Sequence, residues 1–142
     1  MGLSYLWSYI YYLSAARSEY FVHSPFVYTL MTECLRKKRR FAPENRDRLL
    51  ERLSDYLAAA EPDLNILRIA PDEPIKNIPT AALTAENTML FIDRPHKGTQ
   101  REAQWNDLCR NPDIILTIDL FRTGLVFPRR EMRKEHFCLR YF

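Results

Sequence analysis

Through the first sixty residues, apolar side chains recur at spacings of three and four. Beyond them, apolar residues gather mainly in short runs or alternate with polar ones. The first pattern predicts helices with one buried stripe, the second predicts strands. Leu3, Leu6, Trp7, Ile10 and Leu13 predict an amphipathic helix over 3–16. Ser24 followed by Pro25 marks the next helix start. The hydroxyl caps orphan amides, and proline suits the first helical position. That helix is predicted to reach about Lys38, burying Phe26, Val27, Leu30, Met31, Cys34 and Leu35. Pro43 opens a third helix, to about Ala60, with Leu49, Leu50, Leu53, Tyr56 and Leu57 at helical spacing, and Glu61-Pro62-Asp63 ends it.

The second part reads as strands around one further helix. Residues 64–70 and 88–92 are short and largely apolar, and predict two parallel strands. Residues 71–87, with Pro71, Pro74 and Pro79, read as irregular, with one helical turn near Thr80–Ala85. A helix over 98–110 carries Ala103, Trp105, Leu108 and Cys109. Residues 114–121 place Ile114, Leu116, Ile118 and Leu120 on one face, and Arg122-Thr123 turns that strand into a partner over 124–128. A last strand is expected over 136–141. The predicted fold is α/β: a reduced, mixed sheet of four or five strands with a C-terminal antiparallel hairpin, and N-terminal helices over one face.

Length and composition narrow the picture further. The 142 residues fit one domain, with a helical part over 1–60 and an α/β part over 64–142. At 46% hydrophobic residues the chain can bury a real core. The net charge of +3 permits an anionic partner without arguing for one. The run Arg36-Lys37-Lys38-Arg39-Arg40 is a candidate anion-binding site. A charged helix end complementing the helix dipole is the commoner use of such a run, and no aromatic stacking platform accompanies it. Cys34, Cys109 and Cys138 match no zinc spacing and read as reduced thiols. The first residues lack the basic start of a signal peptide, and Leu6 stands where a myristoylation signal wants a hydroxyl. No run is long enough to span a membrane. The expected location is cytoplasmic.

Two groups of motifs carry a resemblance. One is His23-Ser24-Pro25-Phe26-Val27-Tyr28. The other is Leu116-Thr117-Ile118-Asp119-Leu120-Phe121, then Gly124-Leu125-Val126-Phe127, Arg129-Arg130-Glu131 and Glu135-His136-Phe137. Together they are similar to the two ends of a bacterial branch of class I S-adenosylmethionine-dependent methyltransferases, the small O-methyltransferase-like group. The resemblance covers roughly residues 20–35 and 88–142. It implies a Rossmann-like sheet in which a glycine-rich turn after the first strand lets the backbone approach the cofactor closely. Here that turn is Ala70-Pro71-Asp72-Glu73-Pro74, without glycine. The family's next three strands would have to fit into 75–87, whereas one βαβ unit alone takes about thirty residues. The resemblance therefore implies a chain without the cofactor-binding half. The family's acidic pair after its fifth strand falls on Asp93 and Arg94, so a cation replaces the second acid. An ion pair is expected there rather than a bound divalent ion. His96 and Trp105 match histidine or aromatic positions of the family.

Asp93, His96 and Asp119 are the candidate catalytic residues, in principle an acid/base or metal site. Asp119 is expected mid-strand, opposite Ile118 and partly solvated beside Arg122. His23 is expected to pin the N-terminal helices to the domain. No phosphate loop, nucleophile elbow or paired-cysteine motif is present. The leading expectation is a non-catalytic methyltransferase remnant acting as an interaction or scaffold module, with no cofactor. It would be a homodimer, or would bind a protein partner, covering the edge of strand 64–70. One alternative is an active methyltransferase that binds S-adenosylmethionine in a rebuilt or dimer-shared site. The other is a nucleic-acid-associated module using Arg36–Arg40 with Arg129, Arg130, Arg133 and Lys134.

Overall fold

A computed structural model describes residues 3–16, 25–35, 46–128 and 134–139. Three helices come first: α1 (Leu3–Ala15), α2 (Pro25–Glu33) and α3 (Arg46–Ala60). Then follow β1 (Asn65–Ile69), a 3₁₀ turn (Ile75–Asn77), α4 (Thr80–Thr84), β2 (Thr88–Asp93), α5 (Thr99–Arg110), β3 (Leu116–Asp119), β4 (Thr123–Phe127) and β5 (Glu135–Cys138). His23, Ser24, Arg36–Arg40, Pro43, Arg129, Arg130 and Arg133 lie outside the described residues.

The strands form one mixed sheet in the order β1-β2-β4-β3-β5. β1 runs parallel to β2, β4 is antiparallel to both β2 and β3, and β3 runs parallel to β5. The α/β class, the parallel pair and the antiparallel hairpin agree with the pattern read from the sequence. One consequence positions the site. The carboxyl ends of the parallel strands β1, β2, β3 and β5 meet at one end of the sheet, together with the turn between β3 and β4.

Alternation along the central strands builds two cores. Met89 and Phe91 of β2, with Leu125 and Phe127 of β4, face α2 and α3, whose Val27, Leu30, Met31, Leu49, Leu53 and Leu57 complete that layer. Leu90 and Ile92, with Val126, face Trp105 and Leu108 of α5, and Ile75 and Ile78. Both faces of β2 and β4 are thus covered, which is why these strands read as continuous apolar runs.

Two helices orient differently from the reading of the sequence. Of the stripe predicted for α1, Leu6, Trp7 and Ile10 are exposed, Trp7 by 66%. The packed side is aromatic instead. Tyr5, Tyr9 and Tyr12 surround Phe121 with ring centroids 5.1, 4.9 and 5.3 Å away. The buried Tyr12 hydroxyl donates to the Leu139 carbonyl. Tyrosine provides both a ring to stack and a donor to satisfy a buried acceptor, so the Tyr side packs in place of the Leu6, Trp7 and Ile10 side. In α5, Ala103 is exposed, and Arg101 joins Trp105 and Leu108 on the buried side.

Candidate functional site

The three candidate residues all lie at the carboxyl end of the sheet, but they do not form one site. Asp93 closes β2 and is 2% exposed. Its Oδ2 accepts a hydrogen bond from Arg68 Nε at 2.8 Å. Arg46 Nε lies 2.9 Å from Oδ1, close enough to pair in charge but not aligned as a hydrogen bond. Arg68 also reaches Asp47 at 2.5 Å and lies 5.7 Å over the Phe91 ring. Its hydrogen bond to Asp93, then that to Asp47, raise the guanidinium above its ordinary value. An ion pair at Asp93 was expected, but its partners are Arg68 and Arg46. Arg94 is exposed and takes a left-handed conformation, φ 46°.

His96 and Asp119 do come together. His96 Nε2 is 2.6 Å from Asp119 Oδ2, and Nδ1 is 2.5 Å from Glu102 Oε2. Asp119 is 5% exposed and ends β3, so it is neither mid-strand nor partly solvated, and its cation is His96 rather than Arg122. The reason is the hairpin. The Phe121 amide donates to Asp119 Oδ1 at 2.8 Å, and Trp105 Nε1 approaches Oδ2 at 3.3 Å, which turns the carboxylate inward. Phe121, at φ 68°, stacks on the His96 ring at 5.0 Å.

A carboxylate on each ring nitrogen requires both nitrogens to donate, so the ring is held as the imidazolium. Burial pulls the His96 pKa down, but the hydrogen bonds and charges of Asp119 and Glu102 outweigh it and raise the group above its ordinary 6.5. General acid/base catalysis needs a ring nitrogen that faces substrate. Both nitrogens here are committed, so the arrangement ties α5 to β3. Among the described residues, no group of three or more His, Cys, Asp or Glu side chains is placed to hold a metal ion.

The residue the sequence reading missed is Arg101, 8% exposed. Its Nη2 donates to the Ala70 carbonyl at 3.0 Å and the Asp93 carbonyl at 2.8 Å. Nη1 donates to the Glu73 carbonyl and Nε to the Arg94 carbonyl at 3.0 Å. The planar fork of arginine suits this convergence. Burial lowers its pKa. One cation thus closes the carboxyl ends of both β1 and β2. The one sequence signal was its place four residues before Trp105, on the buried stripe of α5. Glu102, beside it, was missed for the same reason: charged residues at a helix start read as solvated.

Lys134 is also engaged, donating to the carbonyls of Cys109 at 2.9 Å, Asn111 at 2.8 Å and Ile114 at 2.5 Å. The Cys109 and Cys138 thiols are pushed up to about 12, chiefly by burial, and are poor nucleophiles. No helix among the described residues is long and apolar enough to cross a membrane. A scan of protein-family models found no match, and searches of curated proteins and of solved structures found no similar protein.

Proposed function

We propose that this chain is a reduced relative of the class I S-adenosylmethionine-dependent methyltransferases that acts as a non-catalytic interaction or scaffold module. The observation that carries the reading is Arg101. In open α/β sheets a ligand sits outside the carboxyl ends of the parallel strands. There the Arg101 guanidinium binds the Ala70, Glu73, Asp93 and Arg94 carbonyls instead. The turn after β1 is closed a second time, because the Glu73 side chain accepts the Ala70 amide at 3.1 Å. A nucleoside cofactor needs free backbone groups and close approach at this turn. These residues do not fit it.

The candidate chemistry is consumed in the same way. Asp93 is held by arginines, and His96 lies between two carboxylates. The motif-bearing hairpin of β3 and β4 and the helix α2 pack into one core, which supports a kept scaffold. For the nucleic-acid reading, Lys134 offers little, since its ammonium is spent on three carbonyls.

Calorimetry and thermal shift with S-adenosylmethionine and its demethylated product test the proposal. The expected result is no heat and no change in Tm at millimolar ligand. Saturable binding would overturn it in favour of a surviving enzyme.

A further inference from the structure

Among the described residues, β1 is an edge strand with β2 on one side only. The Asn65 amide donates toward β2, to Asn87, at 2.7 Å. Backbone direction alternates along a strand, so Leu67 and Ile69 also face β2, while the amides and carbonyls of Ile66 and Arg68 point outward. Edges are guarded by free charges, prolines or bulges. This one holds none of these. Its single charge, Arg68, is drawn onto Asp93 and Asp47, and Leu67 stands 39% exposed.

Resting on the scaffold reading above, we infer that the β1 edge pairs with the β1 edge of a second copy of this chain, antiparallel, about a twofold axis at Leu67. The register follows from the strand itself. Antiparallel pairing requires outward-facing residues to oppose each other. A twofold at Leu67 sets Ile66 opposite Arg68 of the second copy and Arg68 opposite its Ile66, so all the outward amides and carbonyls of the strand are used. It stacks the two exposed Leu67 side chains in the close, non-hydrogen-bonded pair. A twofold at Arg68 would set two guanidiniums against each other, and one at Ile66 would lose the pairing of two leucines. The two sheets then continue as one across the axis.

Light scattering coupled to size exclusion, over a micromolar to submillimolar range, tests the inference on the full chain. A concentration-dependent dimer is expected, and Leu67→Lys, which sets two ammoniums on the axis, should return it to monomer at unchanged far-UV signal. Leu67→Cys should form a covalent dimer under oxidised glutathione, because the Cβ atoms of a non-hydrogen-bonded pair lie at the close end of the cross-strand range, about 4.5 Å, where a disulfide can reach. Asn65→Cys, which faces Ile69 in this register, should not. A monomer throughout, or a dimer indifferent to Leu67→Lys and not trapped by Leu67→Cys, overturns the pairing. Either outcome leaves the absence of S-adenosylmethionine binding as a separate test of the scaffold reading.

Discussion

At the scale of single residues, His96 makes the protein's stability depend on pH. Its folded pKa is raised above the ordinary 6.5, with burial opposing and Asp119 and Glu102 prevailing. The contribution is therefore complete below 6.5 and is lost as pH rises through the folded value. Across that window the native state holds one more proton than the unfolded chain, so stability falls by about 1.4 kcal/mol per pH unit at most. The other groups facing this cluster do not reverse the sign. Trp105 is neutral, and the thiols of Cys109 and Cys138, raised from the ordinary 9.0 to about 12, add to the fall only as pH approaches 9. Nearby His136 shifts the other way: desolvation, with Lys134 and His96 adding to it, lowers its pKa, against the pull of Asp119. Its contribution is complete above the ordinary 6.5 and is lost as pH falls through its lowered folded value. Tm measured from pH 5 to 9 should pass through a maximum near 6.5. His96→Gln should flatten the alkaline limb short of the range where the thiols titrate, and keep an acid limb set chiefly by the desolvation of His136. An unchanged alkaline limb in that variant would show that His96 is not the group responsible.

At the scale of elements, the sequence was most legible where a buried face repeats regularly. Leu49, Leu53 and Leu57 in α3, and the runs in β2 and β4, are buried as their spacing implied. It was least legible where aromatic and charged residues replace aliphatic ones in a buried role. The Tyr5, Tyr9 and Tyr12 side of α1 was hidden by a more apolar stripe, and Arg101 by the habit of placing arginine in water. The site followed the same division. His96 and Asp119 could be named from the sequence, but their mutual contact, and Glu102 on the far nitrogen, depend on the hairpin bringing β3 beside α5. The docking of α1 gives a test of this level. A helix of 13 residues is marginal alone, so its order rests on Phe121. Phe121→Ala removes the ring that three tyrosines and His96 share. It should cost about 3–5 kcal/mol locally. Hydrogen exchange should then show α1 amides losing protection while those of β2 and β4 keep theirs. Equal loss in all three would mean that α1 is integral to the core rather than docked on it.

At the scale of the whole molecule, the question is whether the two cores unfold together. They lie on opposite faces of the sheet, and each has its own helices. They share β2 and β4, however, whose alternate residues belong to one core and then the other, so neither can lose its strands alone. Gly124 is where this coupling can be probed. The Trp105 ring lies across it, and a Cβ built there would sit 2.6 Å from the ring. Trp105 cannot easily move, being fully buried and anchored to Asp119. Gly124→Ala therefore overpacks the α5 side alone, at a cost of about 1–3 kcal/mol. If the sheet couples the cores, urea unfolding followed by far-UV circular dichroism and by tyrosine and tryptophan fluorescence should give one coincident transition. The substitution should move its midpoint down for every probe with the slope unchanged. Two separated transitions, with only the tryptophan-reported one displaced, would mean that the α2–α3 layer stands without α5. The helical layer and the strand pair closed by Arg101 would then be independent units rather than one scaffold.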